Sequence, residues 1–487
     1  MRFLPISVLC LILGSVQIAK SQTSVSGNVE GVWEATGNPY LVVGDVIIPA
    51  NHFLTITAGV EVRFTGDFSI TVQGGMCAYG TSEDSVRFIA HVGQTPGLWK
   101  YIKYDHAWGD STILRYCHIE SGERAVWVNA CSVTIDNSLI KNQETSPIRG
   151  QDAVITMALC DITNSGGSGI SLDNSSVNLL ECNITYHSGS SGNGISAGGS
   201  GTIEINGGSI SHNSGSGIDG FQITGCSLLN VEIADNHSKG ISLVQAGQLG
   251  ASGCIIHDNE NHAVFLNSTV LTARQLTISS NAGYGVFSFG GSIQVSSSIV
   301  DRNDMWGFFC QSSPSNLQYN DAYMNFAGNY SGCTAGTGSI TEDPQYLTYT
   351  NRDFHLQESS PCIDAGSPND PLDPDGTRAD MGALYFHQNP VAPRGTTPQA
   401  SSFQIAAAYP NPFNPALTLN VQAAKSSPAS VQAWSVNGGF VALIWRGNLR
   451  PGRNDIVWSA VDIPSGNYII RLLAGMESDA RICTLVK

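Results

Sequence analysis

Charge is scarce in this chain. Asp, Glu, Lys and Arg make up 13% of 487 residues, and the basic sign is the rarer, 23 residues against 39 acidic. Phosphate backbones are held by clustered Lys and Arg, so this balance argues against nucleic acid as a partner. Beyond residue 21 no apolar run approaches the about 20 residues that a spanning helix needs, so no membrane span is expected in the mature protein. The sequence has no Cys-x-x-Cys pair, which speaks against a zinc site. It also lacks a Ser–His–Asp signature, a phosphate loop and a His-Glu-x-x-His motif. What it has in abundance is glycine, 53 residues, a turn-rich β composition that excludes a helical enzyme and a disordered tail.

The first residues read as a secretory signal over 1–21. Arg2 supplies the positive start, Phe3 to Ile18 is largely apolar, and Ala19-Lys20-Ser21 places small residues for cleavage before Gln22. A membrane anchor is the alternative, but the run is short for one. Removing Arg2 and Lys20 from the 23 basic residues leaves 21 against 39 acidic, a net charge of −18. Of 12 cysteines, removal of Cys10 leaves 11, an odd number. Cys310 and Cys333 are a candidate bridge.

A repeat organises the body. Ile119, Ile140, Ile162, Ile184, Ile210, Ile233, Ile256, Ile278 and Val300 recur at intervals of 21 to 26 residues. A second aliphatic or Phe, as in Gly217-Ile218 and Gly285-Val286, follows most of them by eight residues. Asn213, Asn236, Asn259, Asn281 and Asn303 lie between the two markers. One coil of about 22 residues cannot bury a core alone; stacked at the strand spacing of about 4.8 Å, successive coils can. The repeated Asn suits a left-handed bend and an amide ladder. A β-propeller would need a period of about 40 residues. Cys117, Cys160, Cys182 and Cys254 each precede the closing aliphatic by two, so they belong to the inward face as small apolar residues. The expected fold is all-β: a right-handed parallel β-helix over 22–338, capped at its start, where Leu54 to Ala90 alternates well.

The repeat Cys-x-Ile-x-x-Asn-x-x-x-Gly/Ala-Ile/Val, as in Cys254 to Val264, resembles the right-handed β-helix proteins of the pectin-lyase-like superfamily. So do the run Leu54 to Phe64 and the stretches Gly97–Ile102 and Leu114–Gly122, and the resemblance covers about residues 25–330. It implies architecture far more than activity, because the superfamily holds polysaccharide lyases and hydrolases as well as adhesins. Residues 339–388, with Asp343-Pro344, Ser360-Pro-Cys-Ile-Asp-Ala-Gly366 and Asp373-Pro-Asp-Gly-Thr-Arg-Ala-Asp380, resemble a short module that ends such helices. Residues 389–402 read as a Pro-containing linker. Beyond it, Tyr409-Pro-Asn-Pro-Phe-Asn-Pro415 and the ending Thr484-Leu-Val-Lys487 resemble the Ig-like type A sorting domain of type IX secretion over 403–487. That resemblance implies the type IX machinery as a partner and a place outside or on the surface of a bacterial cell. The acidic loop usual in that family is reduced here to Ser459–Gly466.

Three features are candidates for chemistry. Next to the closing aliphatics lie His212, Asp235, His257, Asp258, Asp301 and Arg302, expected as one outward polar strip. Such a strip suits acid–base work on a uronate or Ca²⁺ binding, or it is an ordinary solvated turn column. Phe265, Phe287 and Phe309, spaced by 22 and 22, should stack outward. They are either a glycan-binding ladder or a stripe covered by residues 314–388. Trp99, Tyr101, Tyr104 and Trp108 form a second aromatic cluster with the same two readings. Asp373, Asp375 and Asp380, with Asp370, are candidate Ca²⁺ ligands, although the twelve-residue loop with a terminal Glu is missing and a Pro/Gly turn explains them too. The functional expectation is a surface or extracellular glycan-binding or adhesive protein. The alternatives are a polysaccharide lyase or hydrolase on the same outer face, or a purely structural role.

Overall fold

A computed structural model describes residues 22–91, 99–108, 112–190, 192–388, 403–435, 440–460, 463, 465–474 and 477–486. The secretory signal and the linker 389–402 lie outside the described residues. The chain divides after Pro344 into two compact units.

The first unit is a parallel β-solenoid of about 13 turns of ~22 residues, and among the described residues 37 strands join into one continuous sheet. One coil illustrates the plan: Ile241–Val244, Gln248–Ser252 and Ile255–His257 form three strands, and Val264–Asn267 begins the next coil. Register follows the repeat. Val264 pairs with Val286 and Phe265 with Phe287, while Ile256 pairs with Ile278. A shift of one coil therefore returns each side chain to the same face. Inward positions fill a single core, in which Ile119, Ile140, Ile162, Ile184, Ile233, Ile256, Ile278 and Val300 are fully buried. Cys117, Cys160, Cys182 and Cys254 are buried free thiols in that core. The Sγ atoms of Cys310 and Cys333 lie 2.7 Å apart.

The Asn repeat does not sit at the bend. Asn213, Asn236, Asn259, Asn281, Asn303 and Asn325 are buried, and each of the first five donates from Nδ2 to the Oδ1 of the next, at 2.8–3.0 Å. Left-handed backbone falls instead on the preceding residue, at Asn142, Asn164, His212, Asp235, Asp258, Ser280 and Arg302, with φ of 52 to 59°. The ladder needs the amide's two-sided bonding, whereas the bend accepts whatever side chain can face water.

Residues 314–344 do not cover the Phe stripe. They continue the solenoid with strands Ser315–Gln318, Asp321–Tyr323 and Gly328–Ser331, and Ile340 bridges to Asp321. In the second unit, Tyr346–Thr348 pairs antiparallel with Asp353–Leu356 ahead of a loop region reaching 388. The described residues between 403 and 486 form a β-sandwich of a three-stranded and a four-stranded antiparallel sheet. Phe403–Tyr409 is the first strand of the three-stranded sheet, and the sandwich core centres on Phe413, Leu419, Val431, Trp458 and Ile470.

Candidate functional site

The polar strip beside the closing aliphatics is less open than its sequence spacing suggests. His257 and Asp301 end short strands and are buried, at 4% and 0% exposure. Nε2 of His257 lies 3.0 Å from Glu232 Oε1, and Nδ1 lies 2.7 Å from Asp258 Oδ2. Burial alone would lower the imidazole pKa, but these two carboxylates outweigh it and raise it to about 9. At neutral pH the ring is an imidazolium that donates from both nitrogens, so it cannot accept a proton as a general base. Asp301 and Asp343 both pair with the guanidinium of Arg302. His212 and Asp235 face each other at 3.8 Å, with the Tyr186 ring 4.8 Å from the His212 ring and tilted by 30°. The six residues are thus brought to one corner of the coil, where His257 and Arg302 are already engaged by carboxylates, Glu232 and Asp343 among them. Glu232, two positions upstream of the strand end, was not foreseen from spacing.

One outer face of the solenoid carries the aromatic row. Phe265, Phe287 and Phe309 are register partners whose rings stack at 5.2 Å per step, with interplanar angles of 16 and 12°. His262 and Tyr284 extend the row from the turn before each strand: His262 lies 5.6 Å from Phe287 and parallel to it, and Tyr284 meets Phe287 edge-on at 5.2 Å. Lys239 caps the Phe265 ring at 4.9 Å. Burial, then the charge of Lys239, push the His262 pKa down to about 4, so the ring is neutral. Its Nδ1 accepts from the Tyr284 amide, which leaves the proton on Nε2. All five rings are half-buried. The Phe faces are turned to one another, so the row presents an apolar strip of ring edges together with a neutral imidazole and a phenol.

The other aromatic cluster divides. Trp99 and Tyr104 are fully buried, Trp99 stacked on Phe64 at 4.3 Å with its indole N–H donated to the Glu120 carbonyl. Trp108 is exposed. Tyr101 faces outward and meets Trp127 edge-on at 5.4 Å. Trp127, with Lys103, Arg124 and Arg149 around it, went unnoticed in the sequence because its neighbours lie on different coils.

The acidic loop of the second unit is an internal turn network. Asp380 accepts from the amides of Asp364 and Phe386, Asp373 from the amide of Asp380, and Asp375 from Thr377 and Gln388. Burial, reinforced for Asp373 by the neighbouring charge of Asp380, raises Asp373 to about 7 and Asp380 to about 6. Asp375 is held below the usual carboxylate range because its hydrogen bonds from Thr377 and Gln388 outweigh desolvation by burial. Among the described residues no three His, Cys, Asp or Glu side chains form a group that could hold a metal ion. The carboxylates of Asp373, Asp375 and Asp380, the candidate Ca²⁺ ligands, accept hydrogen bonds from backbone amides of this turn. No helix among the described residues is long and apolar enough to cross a membrane.

The family described as the right handed beta helix region matches residues 148–328. No curated protein matches the sequence. Similar solved structures include the periplasmic alginate epimerase AlgG, at 10% identity, covering 62% of this chain and 78% of that one with a TM-score of 0.39. Pectate lyase Pel9A is similar at 13% identity over 70% of this chain and 89% of its own, TM-score 0.32. The A-module of the Azotobacter vinelandii mannuronan C-5 epimerase AlgE6 is similar at 12% over 66% and 92%, TM-score 0.33. At these values the similarities carry no argument about chemistry. The body of the chain is a right-handed parallel β-helix.

Proposed function

We propose that this is an exported β-helix protein that binds a glycan on the outer face of the sheet carrying Phe265, Phe287 and Phe309. The observation that carries the reading is the half-buried row of five rings, His262, Phe265, Tyr284, Phe287 and Phe309, whose edges reach the outer face. Contiguous exposed apolar surface on a folded protein marks a binding site more often than it marks an accident of packing. A glycan suits it because apolar ring edges lie beside a neutral imidazole N–H and a phenol, groups that can meet both the C–H and O–H faces of a sugar. Catalysis is the weaker reading, since His257 is clamped between Asp258 and Glu232, and Arg302 between Asp301 and Asp343. The sandwich at 403–486 is proposed to serve as the sorting domain for type IX secretion.

Full-length protein should be retarded in gels containing its glycan, and Phe287→Ser should weaken retention by about tenfold while leaving the thermal midpoint in place. Retention unchanged by Phe287→Ser and by Tyr284→Ala would sink the site assignment. Release of ultraviolet-absorbing unsaturated ends from a polysaccharide, lost in Asp258→Asn, would favour a lyase instead. For the sorting role, removal of residues 403–487 should leave the protein in the periplasm of a type IX-competent host; surface display of the shortened chain would reject it.

A further inference from the structure

The sheet that carries the aromatic row has a second feature, six strand steps toward the N-terminus along the register Trp127, Arg149, Ser171, Ser196, Asp219, Ser242, Phe265. At the strand spacing this is about 29 Å along one face. Lys103, Trp127 and Arg149 are register partners on successive coils. The Lys103 ammonium lies 4.6 Å from the indole centroid, and the guanidinium of Arg149 lies 5.6 Å from it. Arg124, from the turn before the strand, brings a third cation to 5.9 Å.

These charges are unevenly compensated. Lys103 pairs with Asp105 at 3.0 Å. Arg124 is oriented by neutral acceptors, the Ser146 carbonyl at 3.1 Å and the Thr145 hydroxyl at 3.3 Å. Among the described residues no carboxylate forms an ion pair with Arg124 or Arg149; Glu123, next to Arg124, offsets it only through space. Burial and the neighbouring charge of Arg149 both disfavour the charged form of Arg124. Two guanidinium groups held beside one indole repel each other, and they do so in a chain whose net charge is −16. Elsewhere on the solenoid the guanidinium groups of Arg63, Arg87, Arg115 and Arg302 each have a carboxylate partner. Beyond Arg149 the outward positions are Ser171 and Ser196, small side chains that leave the approach along the sheet low. A pair of oriented guanidinium groups with an open approach is suited to bidentate recognition of an oxyanion.

We propose that Arg124 and Arg149, packed on Trp127, form an anion subsite that takes a carboxylate or sulfate group of an acidic glycan lying along this sheet. The proposal rests on the glycan reading above and names the class of sugar. Trp127 fixes the height of the two guanidinium groups by cation–π packing, and Lys103 adds positive potential from the preceding coil.

The test is titration calorimetry on the full chain with four probes: a uronic-acid oligosaccharide, a sulfated oligosaccharide, a neutral oligosaccharide of equal length, and inorganic sulfate. At least one acidic oligosaccharide should bind more tightly than the neutral one, and its affinity should fall as salt is raised. Arg149→Gln and Arg124→Gln should each weaken that binding about tenfold and leave any neutral binding unchanged, while Arg149→Lys, which keeps the charge but not the bidentate fork, should recover only part of it. Equal binding of acidic and neutral oligosaccharides, or acidic binding indifferent to both substitutions, would overturn the subsite and leave the glycan reading standing. Inorganic sulfate bound as tightly as the sulfated oligosaccharide would also overturn it, since the sugar would then add nothing. Absence of binding to every oligosaccharide would remove the glycan reading itself.

Discussion

His257→Gln is the substitution whose consequence can be worked furthest. The imidazole is 5% exposed and sits between Asp258, 18% exposed, and Glu232, 53% exposed. Burial disfavours the charged ring, but hydrogen bonds to Asp258 and Glu232 raise its pKa to about 9 in the folded chain, from an ordinary value of 6.5. A raised histidine pKa contributes stability that is complete below about pH 6.5 and is lost as pH rises through 9. The shift corresponds to about 3 kcal/mol, nearer 2 once solvent screening at half-exposed Glu232 is allowed for. Glutamine keeps an N–H donor group but carries no charge, so it removes this pH-dependent part. In a solenoid such a loss is local, so the assay is amide hydrogen exchange in the coils around Ile255–His257 and Thr277–Ser279, wild type against variant at each pH. At pH 6 the wild type should be roughly thirtyfold better protected, and near pH 10 the two should converge. A difference that stays constant with pH, or an imidazole signal titrating near 6.5, would refute the clamped-imidazolium argument.

Three other outcomes follow from the same structure. Asn259→Ala strips the amide that donates to the Ile233 carbonyl and to Asn281 and accepts from Asn236, and should cost about 3 kcal/mol in denaturant unfolding; a loss under about 1 kcal/mol would mean that water replaces the ladder. Asp373 and Asp380, raised to about 7 and about 6, bind more protons folded than unfolded, so exchange protection around Cys362 and Met381 should fall as pH rises from about 4 to 7; protection that stays level or rises over that range would reject the buried-carboxylate description. Cys117, Cys160, Cys182 and Cys254 should resist alkylation in the folded protein and react when it is denatured; rapid labelling of the native protein would show that the inward register is wrong.

The repeat was legible because a stacked coil imposes its period on every position. Ile233, Ile256 and Ile278 recur where the core needs them, and the register confirms the interval. The inward thiols and the stacked Phe265, Phe287 and Phe309 follow from the same arithmetic. Spacing along the chain could not say which neighbour closes each interaction. The Asn column and the bend column differ by one residue, and only the backbone angles place Asp258 on the bend and Asn259 in the wall. His257 reads as an outward polar residue until Glu232, 25 positions earlier, is found on its Nε2. Arg124 and Arg149 look like isolated charges until coil stacking sets both against Trp127. The physical reason is common to all of these cases. Hydrophobic burial is non-directional and repeats with the coil, so one chain's pattern suffices to read it. Charge compensation depends on distances of a few ångströms between side chains of different coils, and the sequence carries no such distances.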